Sequence, residues 1–285
     1  MNIVMPDLVL AAGTMQAFGL QERLDAARAA GFSGISLFAA DLEKWAAEGL
    51  DAETVGARIA DAGLWISEVE IIGNWLPGAS GKQDMPQWLV EFLQRMTPDH
   101  VLDLAQRVGA RGVSIADLLG AENPSSLISR HFADICERAA QAGLYVALEF
   151  IPTGSVPTLE AAWDVVDAAG ARNGGLMIDS WHFFRGGSQL ETLVSIPGDR
   201  IFAVQIGDGP AAAEADLDEA MAHSRLLPGA GEMNLSALQA SLAKTGTAAP
   251  VAVEVFSDAF AGRSADEVAT ECMRAAKDLI KGDKR

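Results

Sequence analysis

Four oxygen-bearing side chains each stand near the end of a short apolar segment and are followed by loop-type residues. They are Glu149 in VALEFIPTG, Asp179 in GLMIDSWH, Gln205 in IFAVQIGDG and Glu254 in VAVEVFSD. If the four segments are parallel strands of one barrel, these side chains meet at one rim. Three carboxylates and an amide oxygen suit Mg²⁺ or Mn²⁺ best, and Zn²⁺ or Co²⁺ can also bind such a set. The pattern therefore predicts a divalent-metal site.

A strand-end carboxylate also has a simpler explanation, in which it caps a helix or pairs with a basic side chain. Buried parallel strands are almost wholly apolar, and a carboxylate at the end of one is costly unless it is paired or holds a cation. A single residue of this kind would indicate little. Four of them at equivalent places on successive strands favour the metal site.

Eight apolar, β-rich segments alternate with segments of helical periodicity. The predicted strands cover residues 8–14, 34–38, 65–72, 112–118, 146–152, 175–182, 201–208 and 251–257. The predicted helices cover residues 20–30, 52–62, 98–108, 127–142, 159–169, 190–195, 235–244 and 265–280. The turns from helix to strand are short, and five of them contain a glycine suited to a left-handed helix end: Gly31, Gly63, Gly109, Gly143 and Gly170.

The connections from strand to helix are longer, above all at residues 73–96 and 209–234. In a (β/α)8 barrel the short turns lie on one face and the long loops build the active site. The sequence thus predicts α/β architecture, with a single (β/α)8 TIM-barrel domain over residues 1–285. A doubly wound open sheet is the alternative, but eight units fit closure better, and no Gly-x-Gly-x-x-Gly follows the first strand.

The composition opposes several classes of function. The chain has 39 acidic and 21 basic residues and a net charge of -18, which argues against binding to nucleic acid. No apolar run approaches the ~20 residues that cross a membrane. The segment MNIVMPDLVL has no basic region, which predicts no export signal. The two cysteines, Cys136 and Cys272, are expected to be reduced, and a cytoplasmic location follows.

The second half of the chain resembles a known family. LEFIP, MIDSWHFFRGG, VQIGDGP, HSRLLPGAGEMNL and VAVEVFS are similar to segments of the sugar phosphate isomerase/epimerase family, which has a xylose isomerase-like TIM barrel. The resemblance covers strands five to eight closely and the first half only in its βα rhythm. It implies a metal held by Glu149, Asp179, Gln205 and Glu254, although family members usually have histidine where Gln205 stands. Dehydratases of the same superfamily that act on 3-dehydroshikimate resemble this glutamine variant.

The resemblance also implies catalytic roles. His182 would polarise a substrate oxygen beside the metal, and Arg225 would stabilise an enediolate oxygen. Glu149 would remove a proton from carbon, and Glu254 would return it from the opposite face. The simpler interpretations are a structural histidine and a solvated loop arginine. His223 is expected to be a loop residue only.

The expected function is that of a metal-dependent isomerase or epimerase, which transfers protons in a small carbonyl-bearing polyol through an enediolate. The alternative is a lyase of the 3-dehydroshikimate dehydratase type, which shares the first step and then expels a hydroxyl. The net charge of -18 argues against an endonuclease that acts at abasic DNA sites. The complete set of predicted metal ligands argues against a non-catalytic barrel that only binds a ligand or partner. Few basic residues in the early loops favour a neutral sugar, cyclitol or cyclic keto compound over a phosphorylated sugar.

Several residues near the rim keep two interpretations. Trp75 and Trp181 would line the pocket or lie in the core, and Glu70 would bind substrate hydroxyls or form a salt bridge. Arg185 would be a partner of Asp179 or a surface charge. The other rim candidates are Phe38 and Asp117. The long third loop carries two aromatic residues that suit the interface of a homodimer, Trp88 and Phe92.

Overall fold

Eight parallel strands form one closed barrel in the computed structural model, which describes residues 6–82 and 85–282. Each strand pairs with the next along the chain, and β8 pairs with β1. The strands are β1 (Leu8–Leu10), β2 (Gly34–Phe38), β3 (Trp65–Ile72), β4 (Gly112–Ile115), β5 (Tyr145–Glu149), β6 (Gly174–Asp179), β7 (Ile201–Ile206) and β8 (Val251–Val253). The predicted TIM barrel is confirmed, and the doubly wound alternative is wrong. Residues 1–5, which belong to the segment inspected for an export signal, and residues 83–84 and 283–285 of the predicted domain lie outside the described residues.

All eight predicted helices are present, with ends that differ by at most two residues. They are α1 (Leu20–Ala30), α3 (Ala52–Asp61), α5 (Pro98–Val108), α6 (Ser125–Gln141), α7 (Leu159–Ala169), α9 (Leu190–Ser195), α11 (Leu235–Thr245) and α12 (Ala265–Lys281). Four further helices lie within the loops that follow strands: α2 (Ala39–Ala47), α4 (Gln87–Arg95), α8 (Ser180–Arg185) and α10 (Leu217–His223). In the part of the chain that is described, no helix has both the length and the apolar character needed to span a membrane.

Several strands end earlier than the apolar pattern predicts. The segment 175–182 changes from strand to helix after Asp179, because the Asp179 carboxylate accepts the backbone N–H of His182 and so starts α8. The segments 146–152 and 251–257 continue beyond Glu149 and Val253 as buried loop rather than strand. The apolar residues that follow these two strands therefore reflect burial at the rim and not strand pairing.

The hydrophobic core lies between the barrel and the surrounding helices. Phe132 and Leu148 are fully buried there, and so are Cys136 and Cys272, which are both free thiols in the described structure. Burial raises the pKa of each thiol to about 12. The five glycines predicted to end helices have φ between 63° and 91°, which confirms their role in the short turns.

The two aromatic residues considered for a homodimer interface differ in their surroundings. Trp88 is 68% exposed, whereas Phe92 packs partly against the core. Both lie on α4, in the loop region that follows β3. This region of the chain therefore presents one large aromatic ring to solvent.

Candidate active site

The four strand-end side chains come together at the C-terminal rim of the barrel. Glu149 and Asp179 end β5 and β6, Gln205 pairs in register with Asp179, and Glu254 follows β8 directly. All four are buried, with at most 6% of any one exposed. The closed barrel thus gathers the predicted metal ligands into one water-poor cluster.

Arg225 lies within this cluster rather than in solvent. Its Nη1 donates to Oδ2 of Asp179 at 2.9 Å and to Oε2 of Glu254 at 3.1 Å. Its guanidinium is also 5.3 Å from the centre of the Trp181 ring. Burial disfavours the charged guanidinium, but the neighbouring carboxylates outweigh this effect and raise the pKa of Arg225. The site therefore holds a permanent cation.

His182 is neutral, and its tautomer follows from its neighbours. Burial lowers the pKa of His182 to about 3. Nη2 of Arg225, which can only donate, lies 3.2 Å from Nε2 of His182, so the ring hydrogen resides on Nδ1. Nε2 is also 3.5 Å from Oε1 of Glu149, but a neutral ring forms no ion pair there. Nδ1 is buried and has no hydrogen-bond partner among the described residues, so it can donate to a substrate oxygen.

The donors present fit a divalent cation. Glu149, Asp179 and His182 offer ligand atoms that lie within 4.8 Å of one another. Oε1 of Gln205 is buried and accepts no hydrogen bond from any residue that the structure describes. An orphaned acceptor of this kind is expensive unless something binds it. Nε2 of His182 can join the predicted set of Glu149, Asp179, Gln205 and Glu254 only if it exchanges its contact with Arg225 for the cation. A nitrogen beside oxygen donors would then widen the choice toward zinc or cobalt.

Buried carboxyl groups outnumber the positively charged groups at this rim. Burial and the nearby Glu254 carboxylate raise the pKa of Glu149 and of Glu70 well above the ordinary value. Burial likewise raises the pKa of Glu254 to about 8, despite the opposing charge of Arg225. Asp179 differs, because burial alone would raise its pKa, but the charge of Arg225 and the hydrogen bonds from Arg225 and from the His182 backbone together hold it below the ordinary value. Ionisation of all these carboxyl groups would leave excess negative charge, which a divalent cation would offset.

We expect the metal-free protein to become less stable as the pH rises from 6.5 to about 8. Glu254 keeps its proton in the folded chain up to a pKa of about 8, whereas the ordinary pKa of a glutamate is 4.5. The stability that it contributes is therefore present in acid and is lost as the pH rises through 8. His182 has the opposite effect, but only below the ordinary histidine pKa of 6.5. The melting temperature of chelator-treated protein across this range measures the slope.

The matched control for this slope is Glu254→Gln, which removes one titrating group at nearly constant volume. The variant should show a shallower decline of the melting temperature between pH 6.5 and about 8. Equal slopes for the two proteins would show that Glu254 does not carry the raised pKa.

Of three rim residues that had two interpretations from the sequence, Glu70 and Trp181 belong to the site and Trp75 does not. Glu70 is buried on β3, and its Oε2 accepts a hydrogen bond from Nε2 of Gln205 at 3.3 Å. Its partner is thus an amide, and the predicted salt bridge is not found among the described residues. Trp181 packs edge-to-face on His182 at 5.4 Å. Trp75 lies in the core instead, where its indole N–H donates to the carbonyl of Ala116 at 3.0 Å.

Arg185 fits neither of its two predicted roles. Its side chain is only 3% exposed and forms a bidentate ion pair with Glu214, with Nε···Oε2 at 2.6 Å and Nη2···Oε1 at 3.0 Å. Nη2 also donates to the carbonyl of Pro210. Arg185 therefore fastens the loop after β7 to α8, and the partnership with Asp179 is wrong. His223, expected in a loop, ends α10 and contacts Asp258 at the surface.

Two buried aspartates hold the loops that frame the site. Asp208 accepts four backbone N–H groups, those of Gly209, Gly229, Gly231 and Met233, at 2.8–3.1 Å. It thereby folds the segment that carries Arg225. Asp117, a rim candidate from the sequence, likewise accepts backbone N–H groups of its own loop and of Ser155. Sequence analysis missed the role of Asp208, although an aspartate beside glycine-rich segments is typical of such turns.

The rim loops are joined above the barrel. Nζ of Lys82, after β3, donates to Oγ1 of Thr153 at 2.8 Å and pairs with Asp218 at 3.1 Å. Thr153 also donates to Asp218 at 2.6 Å. A cavity of about 510 Å³ opens beside this junction, between the loops after β4 and β5, but none of the four strand-end side chains lines it. The carboxylate cluster itself is nearly inaccessible to solvent.

Phe38, the remaining rim candidate, is half-buried at the end of β2. Its ring lies 6.3 Å from that of Phe256, which follows Glu254 by two positions. The ring of Phe256 is in turn 5.0 Å from the guanidinium of Arg225. Phe38 therefore supports the apolar wall behind the arginine.

Comparisons with known proteins agree with this architecture. The family model described as xylose isomerase-like TIM barrel matches residues 24–279. The chain is similar to the 3-dehydroshikimate dehydratase of Pseudomonas aeruginosa, with 31% identity over 244 residues that cover 85% of this chain and 37% of that protein. It is also similar to the inosose isomerase of Bacillus velezensis, with 34% identity over 139 residues, 47% of this chain and 48% of that protein.

A solved structure, described as a xylose isomerase-like TIM barrel/4-hydroxyphenylpyruvate dioxygenase fusion protein, superimposes on 97% of this chain. The superposition covers 43% of that protein with a TM-score of 0.82 and 26% sequence identity. The chain thus spans less than half the length of the dehydratase and of the fusion protein. The family match over most of the sequence confirms the resemblance seen in strands five to eight. This chain belongs to the xylose isomerase-like TIM barrel family.

Proposed function

We propose that this chain is a divalent-metal-dependent enzyme that removes a proton from the carbon beside a carbonyl in a small polyhydroxylated compound. One observation carries the proposal. Glu149, Asp179, Gln205 and Glu254 form a single buried cluster around Arg225, and this cluster contains donors that lack partners in the described structure. Mn²⁺ and Mg²⁺ suit the oxygen donors best, and His182 makes Zn²⁺ or Co²⁺ acceptable as well.

The cation, when bound, supplies Lewis-acid polarisation of the substrate oxygens, which is worth several kcal/mol. The residues of the chain do the rest. Burial raises the pKa of Glu149 well above that of an ordinary carboxylate, which makes its carboxylate a stronger base for removing a carbon-bound proton. Glu254, which accepts a hydrogen bond from Nη1 of Arg225, is the second proton-transfer group. Nδ1 of His182 and the guanidinium of Arg225 donate to the oxygen on which negative charge develops.

Two reactions share this first step. Loss of a hydroxyl from the β-carbon gives a dehydratase, and return of the proton gives an isomerase or epimerase. Similarity to the dehydratase over 85% of this chain supports the first reaction, as does Gln205 in place of the usual histidine. The pair of proton-transfer groups, Glu149 and Glu254, supports the second, as does similarity to the inosose isomerase over 47% of the chain. The wider similarity favours dehydration of a 3-dehydroshikimate-like keto acid.

Product analysis in deuterated solvent decides between the two. We expect 3-dehydroshikimate to yield a product that is lighter by one water and absorbs in the near ultraviolet. An inosose tested in parallel should give no such band. If the inosose instead returns as an isomer that carries solvent deuterium, with no water lost, the isomerase is the correct assignment. If neither compound changes and neither takes up deuterium, the proposed proton transfer from these two substrate classes is wrong.

A further inference from the structure

Glu70 has no assigned role in the proton transfer, yet it lies at the centre of the site. It comes from β3, whereas the predicted metal ligands come from β5 to β8. Its side chain is buried, and Oε1 has no hydrogen-bond partner among the described residues. Oε2 accepts from the amide nitrogen of Gln205 at 3.3 Å. This carboxylate thus contacts the residue that replaces the family's histidine, and it also interacts with the hydroxyl of Ser36.

The amide of Gln205 is held by two carboxylates. Its Nε2 donates to Oε2 of Glu70 at 3.3 Å and to Oε1 of Glu254 at 3.2 Å. If the amide were reversed while both carboxyl groups are ionised, as a loaded site requires, its oxygen would face both carboxylates and repel them. The pair of acceptors therefore fixes which branch of the amide is nitrogen. The oxygen is left on the other branch, buried and without a partner in the described chain.

A histidine ligand and a glutamine ligand differ in how the side chain must be oriented toward the metal. A neutral imidazole binds a metal through a ring nitrogen, whereas a glutamine binds only if its oxygen, and not its NH₂, faces the cation. Of the two acceptors on Nε2, Glu254 is itself an expected ligand whose oxygens are needed elsewhere. Glu70 is then the partner that can hold the amide while the site is loaded.

We infer that Glu70 is a positioning residue that presents the amide oxygen of Gln205 as a metal ligand. The inference rests on the proposed metal-dependent function. Partners that orient a metal ligand in this way typically contribute 10- to 100-fold to metal affinity. Glu70 would act through Gln205 and need not touch the substrate.

The test is the Mn²⁺ dissociation constant of the chelator-treated protein, measured by the electron paramagnetic resonance of free Mn²⁺. We expect Glu70→Ala to weaken Mn²⁺ binding about 10- to 100-fold. Glu70→Gln should remain within about threefold of the natural protein, because its amide oxygen can still accept from Gln205. In a Gln205→Ala background, Glu70→Ala should add no further loss, because there is no amide left to orient.

Three results would overturn the inference. Unchanged affinity in Glu70→Ala would show that the amide needs no such partner. Equal losses in Glu70→Ala and Glu70→Gln would show that only the negative charge of Glu70 matters. An undiminished effect in the Gln205→Ala background would show that Glu70 acts through another residue. If the natural protein binds Mn²⁺ and one of these three results is seen, only this inference fails. If the natural protein binds no Mn²⁺, Mg²⁺, Co²⁺ or Zn²⁺, the proposed function fails together with this inference. Circular dichroism confirms that each variant is folded.

Discussion

A Glu149→Gln variant is expected to fold normally and to turn over substrate about 10²- to 10⁴-fold more slowly than the natural protein. The amide of glutamine cannot accept a proton from carbon. The substitution keeps the size of the side chain and removes a buried carboxylate whose pKa burial raises well above its ordinary value. The folded barrel should therefore persist. The measurement is kcat for whichever substrate the product analysis identifies.

The control for this variant is Glu191→Gln, which changes an exposed carboxylate on α9. It should keep kcat within about twofold of the natural value, because surface substitutions away from such features have small effects. The Mn²⁺ affinity of Glu149→Gln separates two causes of inactivity. Loss of turnover with metal still bound identifies Glu149 as the base, and loss of both identifies it as a metal ligand first. Near-normal turnover would refute both roles.

The architecture could be predicted because it depends on patterns that are local in the sequence. The eight apolar segments, the helices between them and glycines such as Gly31 and Gly109 each indicate one element or turn. The place of Glu149 and Asp179 at strand ends needed only the alternation of strands and helices. These predictions required no knowledge of which side chains touch across the barrel.

The contacts inside the site could not be predicted, because closure of the barrel creates them. Glu70 meets Gln205 although 135 positions separate them, and no periodicity encodes that meeting. The path of the loop after β7 depends on the four N–H groups that Asp208 collects. That loop brings Arg225 to Asp179, and it also gives Arg185 its partner Glu214. Sequence patterns could not reveal those pairs.

Arg225 offsets part of the negative charge of the buried carboxylates. One guanidinium bridges Asp179 and Glu254, and raised pKa values let Glu149 and Glu254 remain protonated. Loading a cation must then release protons, as is usual for sites whose ligands bind in the deprotonated form. The affinity for metal should consequently rise with pH.

We propose that the strand-end cluster binds a divalent cation, and removing one ligand should abolish this binding. Glu254 accepts hydrogen bonds from Gln205 and from Arg225. Its loss therefore removes one metal ligand and one contact from each of these two neighbouring residues. The natural protein is expected to gain about 2.7 kcal/mol of stability at a free metal concentration one hundred times Kd. The Glu254→Ala variant should gain almost none.

Elemental analysis of the purified protein tests this claim most directly, with Glu254→Ala as the control. We predict about one equivalent of manganese, magnesium, cobalt or zinc in the natural protein and little or none in the variant. Absence of bound metal in the natural protein, with no rise in melting temperature when any of the four ions is added, would contradict the account. The strand-end carboxylates would then be structural.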